Sequence, residues 1–193
     1  MTPIMPAKPT TKLRKSTISP ERLEALDLHR VMSMIPIMPY HTVADISSGT
    51  GHFAIPLAKY VFDGRVCALD SSKGTLEVIR ETVAKFRLGN VETILNKGKK
   101  LQLDNDSVDG VLAPFVFSSD AHTANLLKEI YRVLHSGGWL AALEWNDVDS
   151  NDAPPKNTRI ATDELQNIAE KTQFRFTASY HLDKDQYMLL MRK

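Results

Sequence analysis

Short apolar runs alternate with amphipathic stretches along most of this chain, beginning at Thr42. Apolar runs bounded by glycine or polar turns are typical of strands buried in a parallel sheet, and the stretches between them have the period of surface helices. The pattern therefore predicts alternating strands and helices. The predicted strands cover residues 42–46, 65–69, 91–95, 108–113 and 138–144, and the predicted helices cover residues 52–60, 73–87, 121–134 and 162–172.

Both ends of the chain depart from this alternation. Residues 20–35 carry leucine and methionine at near-helical spacing behind the cap-like Ser19-Pro20, which predicts a helix ahead of the first strand. Two final apolar runs, residues 174–180 and 186–191, are separated by the polar turn Asp183-Lys184-Asp185. They predict an antiparallel hairpin that closes a sheet of five parallel strands.

Length and composition favour one domain. The 193 residues are 42% hydrophobic, which is enough for one substantial core. Residues 1–19 combine prolines with basic residues and contain no acidic residue, so we expect a mobile basic arm ahead of a single domain at 20–193. The single cysteine, Cys67, excludes an internal disulfide, and no apolar segment approaches the length of a membrane span. These features predict a cytoplasmic protein.

Charge and motifs argue against several classes of partner. The formal net charge of +1 gives no global reason to expect nucleic acid or an anionic membrane. No basic face with interleaved aromatic residues follows the short arm, and no His-Glu-x-x-His motif or cysteine cluster predicts a metal site. The sequence leaves the oligomeric state open.

The turn from Asp45 to Gly51 carries the strongest candidate chemistry. It follows the first predicted strand, at the edge of an open parallel sheet where ligands bind. Gly49 and Gly51 allow a sharp turn and the close approach of a ligand to the backbone. Asp70 ends the second strand about 20 residues later, where a carboxylate can accept hydrogen bonds from both hydroxyls of a ribose. We expect a nucleoside-bearing ligand here; a plain tight turn and a helix cap at Asp70 are the structural alternatives.

Four segments of the chain carry a resemblance to one family. They are residues 43–51 (VADISSGTG), 68–72 (ALDSS), 104–112 (DNDSVDGVL) and 127–138 (LKEIYRVLHSGG). In order and spacing they resemble the motifs of class I S-adenosylmethionine-dependent methyltransferases, nearest the branch typified by ubiquinone and menaquinone biosynthesis methyltransferases. The resemblance implies a Rossmann-like three-layer α/β/α sandwich, with a mostly parallel seven-stranded sheet ending in an antiparallel hairpin, and S-adenosylmethionine as the cofactor.

The resemblance also implies which residues hold the cofactor. The turn would surround the amino acid moiety, Asp70 would hold the ribose, and the next helix would begin near the adenine or ribose edge. The residues so placed are Asp45, Ser47, Gly49, Thr50, Gly51, Asp70, Ser71 and Thr75. The family usually has glycine at the position of Ser47 and often an acidic residue near Lys97. Since lysine cannot accept a hydrogen bond from the adenine amino group, backbone groups around Lys97 and Gly98 would recognise adenine.

The segments expected to contact the methyl acceptor match the family less well. Histidine is frequent after the fourth strand, where this chain has Phe117-Ser118-Ser119-Asp120, and also ahead of the arginine matched by Arg159, where Thr158 stands. No general base is predicted. Ser118, Trp145 and Arg159 are the candidates to contact the acceptor, with Glu144 beside Trp145 at the end of the fifth strand. Methyl transfer mainly demands proximity and alignment, so we predict a methyltransferase that positions a small molecule.

Two alternatives stay open at this stage. The series Gly49-x-Gly51-x-x-Ala54 followed by Asp70 also satisfies the fingerprint of an NAD-dependent oxidoreductase, although the early helix and the closing hairpin argue against it. The departures from the family pattern favour instead a methyltransferase-like protein that binds cofactor without catalysis.

Overall fold

The structure is a computed structural model that describes residues 26–119, 121–147 and 153–193. The predicted arm, the start of the predicted first helix and Asp120 lie outside these residues. The first described helix is α1 (Leu28–Met34), and Asp27 caps it by accepting a hydrogen bond from the Arg30 N–H at 3.0 Å. Because Asp27 has an extended backbone, the prediction of an unbroken helix over residues 20–35 is wrong.

The other elements follow the predicted alternation. The helices are α2 (Ala54–Tyr60), α3 (Lys73–Phe86), α4 (Ala121–Val133) and α5 (Thr162–Lys171), with a short 3-10 turn at Lys156–Thr158. The strands are β1 (Thr42–Ile46), β2 (Arg65–Asp70), β3 (Val91–Leu95), β4 (Val108–Pro114), β5 (Leu134–Trp145), β6 (Arg175–Asp183) and β7 (Gln186–Arg192). The largest differences from the prediction are the early start of β5 and the late end of β6.

The seven strands form one sheet in the order β3-β2-β1-β4-β5-β7-β6. The first five are parallel, and β7 lies antiparallel to both β5 and β6. This arrangement confirms the predicted mostly parallel sheet with a closing hairpin. Because β1 pairs with both β2 and β4, the direction of winding reverses between β1 and β4, and a crevice opens at their carboxyl ends.

Helices cover both faces of the sheet, as the three-layer prediction requires. On one face of the sheet, Ala44 and Ile46 of β1 pack with buried residues of α4 and α5. On the other face, Val43 packs with buried residues of α1, α2 and α3. The alternation of side chains along a strand divides the apolar residues of β1 between the two faces.

A close approach in the middle of the sheet fixes β4 against β5. A Cβ atom added to Gly110 of β4 would overlap the indole ring of Trp139 in β5, so only glycine fits. Trp139 is itself buried. In the described ranges, no helix combines the length and apolar character needed to cross a membrane.

Candidate functional site

Asp70 joins the two loops that follow β1 and β2. One of its carboxylate oxygens accepts a hydrogen bond from the Gly49 N–H at 3.1 Å, and the other accepts one from the Ser72 N–H at 2.8 Å. The Ser48 N–H also donates to the Leu69 carbonyl oxygen at 2.9 Å. These bonds hold the glycine turn against the end of β2 and place Asp70 at the predicted ligand edge.

The alternative role of Asp70 as the cap of the next helix is wrong. The N-cap of α3 is Ser72, whose hydroxyl oxygen accepts a hydrogen bond from the Thr75 N–H at 3.3 Å. The Asp70 carboxylate is directed at the loops instead. Each of its oxygens has one protein donor and retains a second lone pair for a ligand.

Three residues of the turn have positive φ angles, namely Ser47 (61°), Gly49 (54°) and Gly51 (92°). A Cβ atom at Gly49 would have no described heavy atom closer than 4.0 Å, so open space lies in front of this residue. A Cβ atom at Gly51 would lie 3.2 Å from side-chain atoms of both Ile55 and Ile79. Gly51 therefore serves packing, whereas Gly49 leaves room for a ligand.

Asp45 is a fully buried carboxylate beneath this turn. Neither carboxylate oxygen has a hydrogen-bond partner among the described residues, and the Ser48 hydroxyl donates to the Asp45 backbone carbonyl at 2.8 Å. Burial raises the pKa of Asp45 to about 7; the nearby Ser48 hydroxyl opposes the rise, Asp70 adds to it, and the Ala54 N–H opposes it. Although both donors lie nearby, neither forms a hydrogen bond of acceptable geometry with the carboxylate, so Asp45 is available to a ligand that brings an ammonium or sulfonium cation.

The loop after β3 lies beside the same edge. The Asn96 N–H donates to the Asp70 backbone carbonyl at 2.8 Å. The buried Asn96 side chain holds the loop by accepting from the Gln102 N–H at 2.8 Å and donating to the Gly98 carbonyl at 3.3 Å. Lys97 and Gly98 are exposed next to this anchor.

The structure therefore brings most of the predicted cofactor residues to one edge, at the ends of β1, β2 and β3. The inward members are buried or half-buried, namely Asp45, Ser47, Gly49, Gly51, Asp70, Ser71 and Thr75. Thr50 is exposed on the outside of the turn.

The carboxyl ends of β4 and β5 form the neighbouring part of the crevice. Glu144, buried at the end of β5, accepts a hydrogen bond from the Phe117 N–H at 2.6 Å. The Thr123 hydroxyl of α4 accepts from the Ser118 N–H at 3.0 Å and donates to the Ser118 carbonyl at 2.6 Å. The buried Ser118 hydroxyl itself has no hydrogen-bond partner among the described residues. Sequence reasoning missed Thr123, although a threonine in the first turn of a helix often bonds the preceding backbone.

Phe115 adds a strained backbone to this region. It has a φ of 57°, a conformation that bulky residues rarely adopt, and it is fully buried. Its ring packs against Trp145, with 5.5 Å between the ring centroids. Such outliers persist only where the surrounding structure enforces them, and they are frequent at ligand sites.

Arg159 is bonded to the protein's own backbone. Its Nε donates to the Pro154 carbonyl at 2.7 Å and its Nη1 donates to the Asn146 carbonyl at 3.0 Å. These bonds attach residues 153–160 to the end of β5. Arg159 is buried, and so is Trp145.

This chain is similar in sequence to known proteins. A family described as a methyltransferase domain matches residues 43–138. A demethylmenaquinone methyltransferase from Listeria monocytogenes serotype 4a (strain HCC23) is 32% identical over 114 residues, which are 58% of this chain and 48% of that protein. The chain thus spans about half the length of the curated relatives it matches.

Solved structures match over more of the chain. A SAM-dependent methyltransferase from Aquifex aeolicus has a TM-score of 0.82 and 26% identity, and the match covers 90% of this chain and 93% of that one. The [4+2]-cyclase SpnF has a TM-score of 0.75 at 14% identity, covering 86% of this chain and 80% of that one. The second match shows the fold alone.

Proposed function

We propose that this chain, which belongs to the class I S-adenosylmethionine-dependent methyltransferases on the side of the menaquinone branch, transfers a methyl group to a small molecule in the cytoplasm. The observation that carries the proposal is the buried, unpartnered carboxylate of Asp45 beneath a glycine turn that Asp70 holds in place. When bound, S-adenosylmethionine supplies a methyl group made electrophilic by the sulfonium that carries it.

Different residues of the crevice contact different parts of the cofactor. Asp45 accepts from the cationic amino acid moiety, and the backbone of the turn lies around that moiety at Ser47, Gly49, Thr50 and Gly51. Asp70 accepts from the ribose hydroxyls through the lone pairs that Gly49 and Ser72 leave available. Ser71 and Thr75 contact the ribose or adenine edge, and the backbone at Lys97 and Gly98 contacts adenine.

The acceptor lies at the carboxyl ends of β4 and β5. The Ser118 hydroxyl is the candidate with no protein partner among the described residues, so it is available to orient an acceptor. Trp145 forms an apolar wall with Phe115, and Arg159 holds residues 153–160 over the end of β5. Positioning in a water-poor crevice is the main catalytic device, because an in-line displacement gains most from alignment. The compact domain favours a small acceptor over a polymer.

Calorimetric titration tests the cofactor. We expect saturable binding of S-adenosylmethionine and of its demethylated product, and no binding of NAD. Gly49→Ala places a methyl group in the open space of the turn, so we expect at least about a tenfold loss of affinity. Gly137→Ala is the matched control, because Gly137 also has a positive φ, of 77°, and a Cβ atom there meets no described atom within 4 Å. Binding of NAD alone would refute the proposal.

Turnover tests the reaction. Methyl-labelled S-adenosylmethionine is incubated with a panel of small molecules that includes demethylated quinones, because the Listeria relative bears the name demethylmenaquinone methyltransferase. Saturable transfer to any member supports the proposal. The fold itself does not guarantee methyl transfer, since the SpnF structure has it and is called a cyclase.

A protein that binds the cofactor without transferring its methyl group is the second candidate. The specific observation in its favour is Ser47, a non-glycine residue at a φ of 61° in the turn. Tight cofactor binding without turnover on any member of the panel would support this candidate over the first.

A further inference from the structure

A groove between the loop after β3 and helix α4 carries an excess of positive charge. Two adjoining cavities of about 190 and 360 Å³ share Lys99 and Asn125 in their walls. His122 lines the smaller cavity, and Lys100 and Lys128 line the larger one. We call these two cavities together the lysine groove.

Among the described residues, the lysines of the groove form no ion pair, although the charge of Lys100 helps to lower the pKa of Glu129. Lys99, Lys100 and Lys128 make no ion pair with any residue of the described ranges. Glu129, the one carboxylate among the described residues of the walls, already accepts from Arg132 Nη2 at 2.7 Å and from the Leu101 N–H at 3.0 Å. Among the described residues of the walls, three lysines outnumber one carboxylate, so the groove has a local excess of positive charge in a chain whose formal net charge is only +1.

The groove adjoins the cofactor edge. Its loop begins at Asn96, whose N–H donates to the Asp70 carbonyl, and its helix follows the Ser118 segment at the end of β4. The two walls of the groove therefore follow directly, along the chain, from segments that border the cofactor edge and the end of β4.

Size and lining indicate the class of ligand. From His122 to Glu129 the helix rises about 10 Å, which matches one or two phosphate groups. The cavity walls contain lysines and an amide but neither phenylalanine, tyrosine nor tryptophan, so they offer no stacking platform for the bases of a nucleic acid. Lysine ammonium groups bind phosphate as point charges with rotatable donors.

We propose that the lysine groove binds the phosphate or diphosphate of a small soluble methyl acceptor. The identification with the acceptor rests on the proposed function, whereas the anion site itself does not. The groove adds substrate selectivity to the crevice by holding an acceptor through its charged end.

The test uses inorganic pyrophosphate as the probe, titrated into the full chain and followed by calorimetry. We expect saturable binding that weakens as salt rises, because exposed charges are screened. The triple variant Lys99→Gln, Lys100→Gln, Lys128→Gln should lose at least about tenfold in affinity for pyrophosphate. The control triple variant Lys59→Gln, Lys171→Gln, Lys184→Gln removes the same charge at exposed positions outside the groove and should bind as the wild type does.

S-adenosylmethionine is titrated into every variant in parallel, which separates the two proposals. Unchanged cofactor affinity in the groove variant shows that this variant is folded. If the wild type does not bind S-adenosylmethionine, the proposed function is refuted, but the pyrophosphate result still stands. The proposal that the lysine groove binds phosphate would be overturned if pyrophosphate showed no saturable binding, or if both triple variants bound it with equal affinity. Binding only to phosphatidylglycerol vesicles or to an oligonucleotide would overturn it as well.

Discussion

Asp45 shows how a single residue links the site to the stability of the protein. A carboxylate without a donor in a buried position favours its protonated form, and the pKa of Asp45 is raised to about 7 from 3.8 in the unfolded chain. Between these two values the folded state holds one more proton than the unfolded state. Stability from this residue is therefore present at low pH and lost as pH rises towards 7.

The first prediction concerns Asp45→Asn in the absence of cofactor. At pH 3 the variant and the wild type should have similar free energies of unfolding, since below the pKa of the unfolded chain the Asp45 side chain is mostly uncharged in both the folded and the unfolded state. By pH 8 the variant should be more stable by up to about 4 kcal/mol, because only the wild type must bury a charge. Urea unfolding between pH 3 and 8 measures the difference.

The exposed Asp104→Asn is the control for this series. Because this side chain stays in solvent when the protein folds, its removal relieves no buried charge, and its effect at pH 8 should be much smaller than that of Asp45→Asn. A constant gap between Asp45→Asn and the wild type across the same range would contradict the raised pKa.

At this scale the sequence predicts residue types better than their environments. The positions of Asp45, Gly49 and Asp70 at strand ends follow from pattern and spacing. The unpartnered state of Asp45 and the double hydrogen bond of Asp70 do not, because they depend on which backbone groups meet when three loops fold together.

The elements follow the sequence closely where local chemistry decides them and less closely at their ends. Helix α3 ends at Phe86 with Arg87, rather than the nearby Gly89, in the left-handed conformation. Strand β5 begins at Leu134 rather than at the predicted residue 138, because residues between the predicted helix and strand, which include Gly137, form an irregular start with a shifted register against β4. Sheet pairing overrides local turn propensity in that segment.

The second prediction tests the contact between β4 and β5. Gly110→Ala should reduce the free energy of unfolding by about 3 kcal/mol, because a methyl group there overlaps Trp139 and forces the ring or the strand to move. Chemical denaturation measures the loss.

Gly89→Ala serves as the comparison, since open space surrounds that position. It should leave stability unchanged or raise it by less than about 1 kcal/mol. Equal effects of the two substitutions would contradict the packing described for the centre of the sheet.

At the scale of the whole molecule, the cofactor edge depends on three neighbouring strands at once. The loops after β1, β2 and β3 are joined by backbone and carboxylate hydrogen bonds rather than by contacts within one loop. A ligand held by all three loops is lost when any of these strands separates. Binding energy at this edge is therefore coupled to global unfolding.

The third prediction follows from this coupling. At a concentration about 100 times its dissociation constant, S-adenosylmethionine should add about 2.7 kcal/mol to the free energy of unfolding. For a chain of 193 residues this corresponds to a rise in melting temperature of about 5–10 °C. Differential scanning calorimetry measures it, with NAD at the same concentration as the control; a shift with NAD alone would contradict the assignment of the cofactor.

The position of β1 between β2 and β4 also has a consequence for how the protein folds. Val43 lies opposite Val66 on one side and opposite Gly110 on the other, so neither neighbour of β1 joins it through a hairpin. Pairings between such distant segments are slow to form, because the intervening chain must be ordered before the contacts stabilise it. β1, which leads into the glycine turn, has both of its neighbouring strands only when β4 has docked. S-adenosylmethionine can therefore stabilise the finished sheet but cannot speed the early steps of its assembly.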